Sequence, residues 1–346
     1  MSEQQNPSSA PQNDNTLGMV VDERELDKPV DTQPDSVVRF LFEEHGVRGE
    51  IAHLHESVAT LLANMEQYPD CIKQLMLELA AAAVLMAATL KTDGTVTVQI
   101  QGGKGADAIN FAFINIDKYL NFYGNVSWEP KTSPQGAFIG IGEHTYRHRA
   151  NPDDPITFLD LVGDDSILVI SAFPEGGNRY QGIVPLEQDN LAECLELYFR
   201  DSEQLPTSIL LNADVATQEC GGILLQIIPE VDKNLDSLIH LSTLAASLTP
   251  DELYTLSLNE SLRRLFWNDK VRVFAPEKVR FKCICSHERI LNAVRGLPLK
   301  DLKELSEEPD GFDMNCNSCG KKYHVSKEEI ESIYAKALED YQKESS

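Results

Sequence analysis

From residue 37 the chain alternates. Val38, Phe40 and Phe42 fall on one face and Val37, Arg39, Leu41 and Glu43 on the other, which predicts a strand over 37–43. A second strand is expected from Val47 to Leu54, after Gly46. The period then lengthens: Val58, Leu61, Leu62 and Met65 recur at helical spacing within 56–66. Pro69 opens a long helix that runs to about Lys91. From Leu79 to Leu90 that helix is apolar on every side, so it is expected to be buried all round. After Thr92-Asp93-Gly94 the period returns to two, with Val96, Val98 and Ile100 on one strand face. Further strands are expected near 109–116, 122–128 and 137–142, then at Ile167–Phe173 and Gln181–Leu186. A helix over 189–203 places Leu191, Cys194, Leu195 and Tyr198 on one face, with Asp189 as its cap. Strands over 208–212 and 222–228 follow. Strands and helices mix without a regular βαβ alternation, so residues 36–230 read as an α+β core domain of mixed sheet and helix.

Residues 231–282 differ. Leu235, Leu238, Ile239, Leu241 and Leu244 suggest a helix. Thr249-Pro250-Asp251-Glu252 starts a second, and Ser257-Leu258-Asn259-Glu260 a third that carries Leu262, Leu265, Phe266 and Trp267. Helices this short are marginal in water unless they dock. Val271–Phe274 and Val279–Phe281 then lead into a cysteine cluster. Beyond it, Ser286 caps a helix through Val294, Asp301–Leu305 forms a short one, and Ser326-Lys327-Glu328-Glu329 is a capping box for a terminal helix. Residues 1–35 are rich in Gln, Asn, Ser, Asp and Pro and read as a disordered acidic tail.

Charge sharpens this division. The chain of 346 residues carries a net charge of −25. Residues 231–282, with 7 acids and 8 bases, are near neutral, whereas 36–230 carry 27 acids and 11 bases. An acidic surface disfavours phosphate contacts, so no nucleic-acid partner is expected. No apolar run reaches the roughly 20 residues of a membrane span and no signal peptide is visible, so a soluble, cytoplasmic protein without a membrane partner is expected.

The candidate chemistry lies in the cysteines. Cys283-Ile284-Cys285 is followed by Cys316-Asn317-Ser318-Cys319, four of the seven cysteines in two tight pairs. One chain reversal brings such pairs to one point, the arrangement a tetrahedral Zn²⁺ site needs, and four thiolates leave no open position for hydrolytic water. The first pair is closer than the two-to-four-residue spacing of common structural sites. Three readings compete: a permanent structural zinc knuckle in an interaction or scaffold protein, a redox switch, and a thiol-disulfide oxidoreductase using Cys316 and Cys319. The third is weakened by Gly320-Lys321-Lys322-Tyr323, which reads as a turn into a strand, where a thioredoxin-type pair would open a helix. Isolated Cys71, Cys194 and Cys220 read as packing. Gly102-Gly103-Lys104-Gly105 lacks phosphate-loop spacing and reads as a hairpin turn. The stretch His144–Arg149, with two histidines, reads as a polar loop, and no catalytic triad or paired catalytic carboxylates stands out.

Seven segments, in order, resemble the heat-shock protein 33 family of redox-regulated holdase chaperones. They are Arg48-Gly49-Glu50, Leu90-Lys91 with Asp93-Gly94, Arg179–Gly182, Ser202–Thr207, Gly221–Gln226, Phe281–Ser286 and Cys316–Gly320. The resemblance spans roughly 36–335. Two features depart from it: the extension over 1–35, and His324 after Tyr323, where the family commonly has an aromatic residue. The resemblance implies one Zn²⁺ per chain on Cys283, Cys285, Cys316 and Cys319, a reduced inactive form, and oxidation to Cys283–Cys285 and Cys316–Cys319 disulfides with zinc release. Cysteines two and three residues apart satisfy the Cα separation a disulfide needs; a cross-pair bridge would keep the knuckle partly closed. It further implies a metastable linker over 231–282, a redox-switch zinc domain over 283–346, and ATP-independent binding of unfolded client proteins under oxidative stress, without enzymatic turnover. Leu238, Leu241, Leu262, Phe266 and Trp267 are the candidate linker and client-binding residues, and a homodimer on activation is a further expectation.

Overall fold

The structure is a computed structural model that describes residues 34–90, 94–129, 156–175, 179–228 and 235–344. The expected strand at 137–142, the His144–Arg149 loop and residues 1–33 lie outside the described residues. In chain order the elements are β1 (Ser36–Phe42), β2 (Val47–Leu54), α1 (Glu56–Leu62), α2 (Asp70–Leu90), β3 (Thr95–Gln101), β4 (Phe111–Asp117), β5 (Asn121–Ser127), α3 (Phe158–Val162), β6 (Ile167–Phe173) and β7 (Tyr180–Pro185). They continue with α4 (Leu191–Asp201), β8 (Thr207–Asp214), β9 (Glu219–Ile227), α5 (Leu235–Ala245), α6 (Pro250–Thr255), α7 (Leu258–Leu265), β10 (Arg272–Val273), β11 (Glu277–Lys278) and β12 (Arg280–Phe281). The C-terminal part holds α8 (His287–Arg295), α9 (Leu299–Ser306), β13 (Phe312–Asn315), β14 (Lys322–Val325) and α10 (Lys327–Glu344).

Helix α2 is the centre. Its all-round apolar sequence buries Leu75–Leu77 and Leu79–Met86 in one core with residues of both large sheets. By length and composition it is the one described helix able to cross a membrane, yet most of it is enclosed by protein. The first sheet runs β10-β1-β2-β9-β8, with β11 also on β1; the second runs β12-β5-β4-β3-β6-β7. The Arg48-Gly49-Glu50 segment has a packing reason: a Cβ at Gly49 would collide with the ring of Phe40 on the neighbouring strand.

The other face of the first sheet is also covered. Val38, Phe40, Phe42, Val47, Ile51, Ile223, Leu225 and Ile227 form a second core with Leu238, Leu241, Leu253, Leu258, Leu262 and Phe266. The helices of 235–265 therefore dock on the sheet, the burial such short helices need. Thr249 and Glu252 cap α6 reciprocally, and Ser257 accepts from the N–H of Glu260 on α7.

Four details depart from the sequence reading. Asn190, not Asp189, caps α4, its Oδ1 accepting from Glu193 N at 2.9 Å. Residues 102–110 do connect a hairpin of β3 and β4, but not as a tight turn: Gly103 N donates to Val162 O at 2.7 Å and Lys104 bridges to Asp164. Asp35, placed in the tail by composition, is 2% exposed. Its Oδ1 accepts from the N–H groups of His55 (3.1 Å) and Ser57 (3.0 Å) at the start of α1, and from the Ser57 hydroxyl. Lastly, the segment 272–281 is woven into both sheets: β10 and β11 pair with β1, and β12 runs parallel to β5.

Candidate metal centre

The approach to the site is fixed by backbone. Lys282 N donates to Phe122 O at 2.8 Å, so the chain leaves the second sheet one residue before Cys283. Cys283 and Cys285 lie in the stretch before α8, whose N-cap Ser286 accepts from Arg289 N at 3.2 Å. Cys316 and Cys319 occupy the β13–β14 turn. There Cys316 N donates to Lys321 O at 2.9 Å and Gly320 N to Cys316 O at 2.8 Å. Gly320 has φ +66°, and a Cβ on it would strike the side chain of Asn64 at the end of α1. Asn64 Nδ2 also donates to Ser318 O at 3.5 Å, so the turn rests on the core.

The fold brings the two pairs together. All four sulfurs lie within 4.8 Å of one another, the cluster of this kind found among the described residues. Cys283 Sγ is 3.6 Å from Cys316 Sγ, and Cys285 Sγ is 3.4 Å from Cys319 Sγ. A metal with about 2.3 Å bonds to four tetrahedral sulfurs requires edges of roughly 3.8 Å, so the donor set and its spacing fit a Zn²⁺-sized ion.

The electrostatics point the same way. Burial pushes the thiols of Cys283 and Cys319 up, although the N–H groups of Cys285 and Lys321 oppose it. Cys285 runs the other way. Burial raises it too, but hydrogen bonds from Tyr323 and from the other sulfurs outweigh burial and hold it below the ordinary thiol value. Tyr323 in turn is raised to about 12, chiefly by its bond to Cys285. Four packed thiols share protons in this way; a bound cation is what allows all of them to ionise.

A small core supports the hairpin: Ile290, Tyr323, Val325 and Ile330, with Val294, Leu302 and Ile333 in an adjoining cluster. Strand alternation puts Tyr323 and Val325 inward and His324 outward, where its Nδ1 meets Asp313 Oδ1 at 2.9 Å. His324 therefore faces solvent, away from the sulfurs. Cys194 and Cys220 are fully buried and Cys71 half-buried, and burial raises all three thiols.

The residues expected to serve as linker and client-binding groups divide. Leu238, Leu241, Leu262 and Phe266 are 0–5% exposed in the core beneath the helices. Trp267, just past α7, is 80% exposed and takes no part in docking. Contacts that short-range pattern does not signal include His45 Nε2 to Asp269 Oδ1 at 3.2 Å and Val279 N to Asp35 O at 2.8 Å. The bond from the Tyr323 hydroxyl to Cys285 Sγ, at 3.1 Å, joins residues 38 apart.

Two sheets around a buried helix, a helical cover on one sheet and a four-thiol hairpin module define an α+β protein whose C-terminal cysteine cluster could hold a metal ion. The family profile described as Hsp33 protein matches residues 35–326. This chain belongs to the Hsp33 family, a family of chaperones. It is 37% identical over 291 residues to the 33 kDa chaperonins of Yersinia pestis (strain Pestoides F) and Yersinia pseudotuberculosis (serotype O:1b, strain IP 31758), covering 84% of this chain and 91% of each relative. Among solved structures, the 33 kDa chaperonin (heat shock protein 33 homolog) of Thermotoga maritima superposes with a TM-score of 0.67. That match covers 88% of this chain and 99% of the other at 20% identity, a likeness of fold.

Proposed function

We propose that this chain is an ATP-independent, redox-regulated holdase that binds unfolding proteins during oxidative stress. One observation carries the reading. A four-thiol centre sits at the end of the same segment that holds the helical cover on an apolar sheet face. Cys283, Cys285, Cys316 and Cys319 would hold one Zn²⁺ in the reduced form. When bound, zinc keeps the four sulfurs ionised and closes the module, whose own apolar clusters are small.

Oxidation of a thiolate by a peroxide forms a sulfenic acid, and a neighbouring thiol condenses with it to a disulfide and water. We assign the pairs Cys283–Cys285 and Cys316–Cys319. Sulfurs of opposite pairs also lie close, at 3.6 Å and 3.4 Å, as all vertices of one tetrahedron do, so the assignment rests on the short loops that remain once the site opens. Opening removes the folded neighbour of β12 and of the strap 272–281. The helices over 235–265 then lose an anchor. Their release uncovers Val38, Phe40, Phe42, Ile51, Ile223 and Leu225, and frees a near-neutral apolar segment to hold clients while the acidic core keeps the complex soluble.

The corresponding division is a tail at 1–35, a core at 36–230, a linker at 231–282 and a switch domain at 283–346. The reading places the chain in the reducing cytoplasm, allows dimerisation on activation, and includes no enzymatic turnover. Zinc content and suppression of client aggregation, measured before and after peroxide with mild heating, test it. Retained zinc with unchanged, constitutive binding would favour a scaffold carrying a structural zinc knuckle.

A further inference from the structure

Among the four sulfurs, Cys285 is the one that a side-chain hydroxyl caps: Tyr323 donates to it at 3.1 Å. The donor is fixed. Tyr323 is 8% exposed, its ring packs with Ile290, Val325 and Ile330, and its strand is paired residue by residue with β13. Lys321 Nζ lies 5.1 Å from the ring centroid on the solvent side.

We propose that Tyr323 is a positioning residue that acts as a brake on Cys285, making it less nucleophilic than it would be without the hydroxyl; this rests on the redox reading above. The step it slows is attack of the Cys285 thiolate on a hydroperoxide. The sulfur lone pair forms an S–O bond, and the O–O bond breaks. Hydroxide leaves and takes up a proton as water, and sulfur has given two electrons to the peroxide. A donated O–H draws density from the lone pair that must attack, and the bond is lost or weakened as that pair is committed to oxygen. In the zinc-loaded form the sulfur is already ionised, so the hydroxyl cannot raise the thiolate fraction; its bond must weaken as the S–O bond forms, which slows attack about three- to tenfold. The hydroxyl thus biases oxidation toward the other three sulfurs and raises the threshold of the switch.

The test uses the full-length, reduced, zinc-loaded chain and Tyr323→Phe, which keeps the ring. Each cysteine is followed by isotope-coded alkylation and peptide mass spectrometry, once with iodoacetamide alone and once after hydrogen peroxide. Zinc release is read with a chromogenic chelator. The expected result is a three- to tenfold rise in the Cys285 rate relative to Cys316 and Cys319, with zinc stoichiometry unchanged. An unchanged ratio, or equal acceleration of all four, overturns the brake, the second because mere loosening of the module would produce it. The iodoacetamide arm separates the two readings. If peroxide never releases zinc but the alkylation ratio shifts, the redox function fails and the brake stands; if peroxide activates normally and the ratio does not shift, the brake alone fails. Should Tyr323→Phe not hold zinc, 3-fluorotyrosine at position 323, a stronger donor on nearly the same ring, decides the matter. The Cys285 ratio must then fall, and a constant or higher ratio overturns the proposal.

Discussion

Phe266 meets Phe42 edge to face, with ring centroids 4.8 Å apart and planes at 75°, and neither ring is more than 1% exposed. One ring caps the end of α7 and the other ends β1. Phe40 completes a triangle of rings, 6.1 Å from Phe266 and 5.6 Å from Phe42. This aromatic contact joins the helical cover to the sheet face it hides.

Phe266→Ala should therefore weaken docking by about 3–5 kcal/mol, the usual cost of truncating a buried Phe. The reduced mutant should keep its zinc and yet show partial aggregation suppression, with amide exchange increased over 235–265 and unchanged near α2. A folded, zinc-loaded mutant that stays inactive and fully protected would count against the linker as the switch.

The four clustered cysteines should account for all bound zinc. A Cys316→Ser, Cys319→Ser double mutant should lose it, whereas Cys71→Ser, Cys194→Ser and Cys220→Ser should retain one ion per chain by elemental analysis. Stripping the metal from reduced protein with a strong chelator should remove exchange protection from 283–325 and leave that of α2 and its two sheets.

Asp35 ties three pieces together: its carboxylate caps α1, its carbonyl accepts from Val279, and the carbonyl of Pro34 accepts from Lys278 Nζ at 2.8 Å. Asp35→Ala should cost about 1–3 kcal/mol, as loss of a cap and of buried charge-assisted bonds does. Denaturant midpoints measure the cost. Hydrogen exchange should show the loss first over 277–282, which would lower the oxidant dose needed for activation.

Glu78 on α2 is raised by burial, with Gln74 donating to it at 3.2 Å. Its folded form therefore binds a proton more readily than its unfolded form. Stability should increase as pH falls through its raised folded value toward 4.5, and that increment should be absent in Glu78→Gln. The difference between the two urea midpoints, followed from pH 7 to 4.5, isolates this carboxyl from all others. A difference that does not change with pH would show that Glu78 stays ionised in the folded protein.

Local patterns carried much of this fold. Alternation at Val38, Phe40 and Phe42 placed a strand, the apolar run of 79–90 demanded a buried helix, and Thr249 with Glu252 marked a helix start; each acts over a few residues. Cysteine spacing and the surrounding family segments identified the four-thiol cluster in the same way. Composition misled at Asp35, because a single buried carboxylate is invisible in a polar stretch. The exposure of Trp267, just past the end of α7, was likewise not legible, because a residue beyond a helix end follows no helical face.

The amino-acid sequence by itself determined the element types, the apolar faces and the four cysteines that cluster, since these depend on residue chemistry and short repeats. Only the tertiary structure decided that both sheets enclose α2, that 272–281 pairs with both of them, and that Tyr323 meets Cys285. Those contacts join residues up to about 240 positions apart, as Val37 and Glu277 do. Their partners are chosen by which surfaces the packed core leaves adjacent, and a repeat of two or 3.6 residues carries no information about that choice.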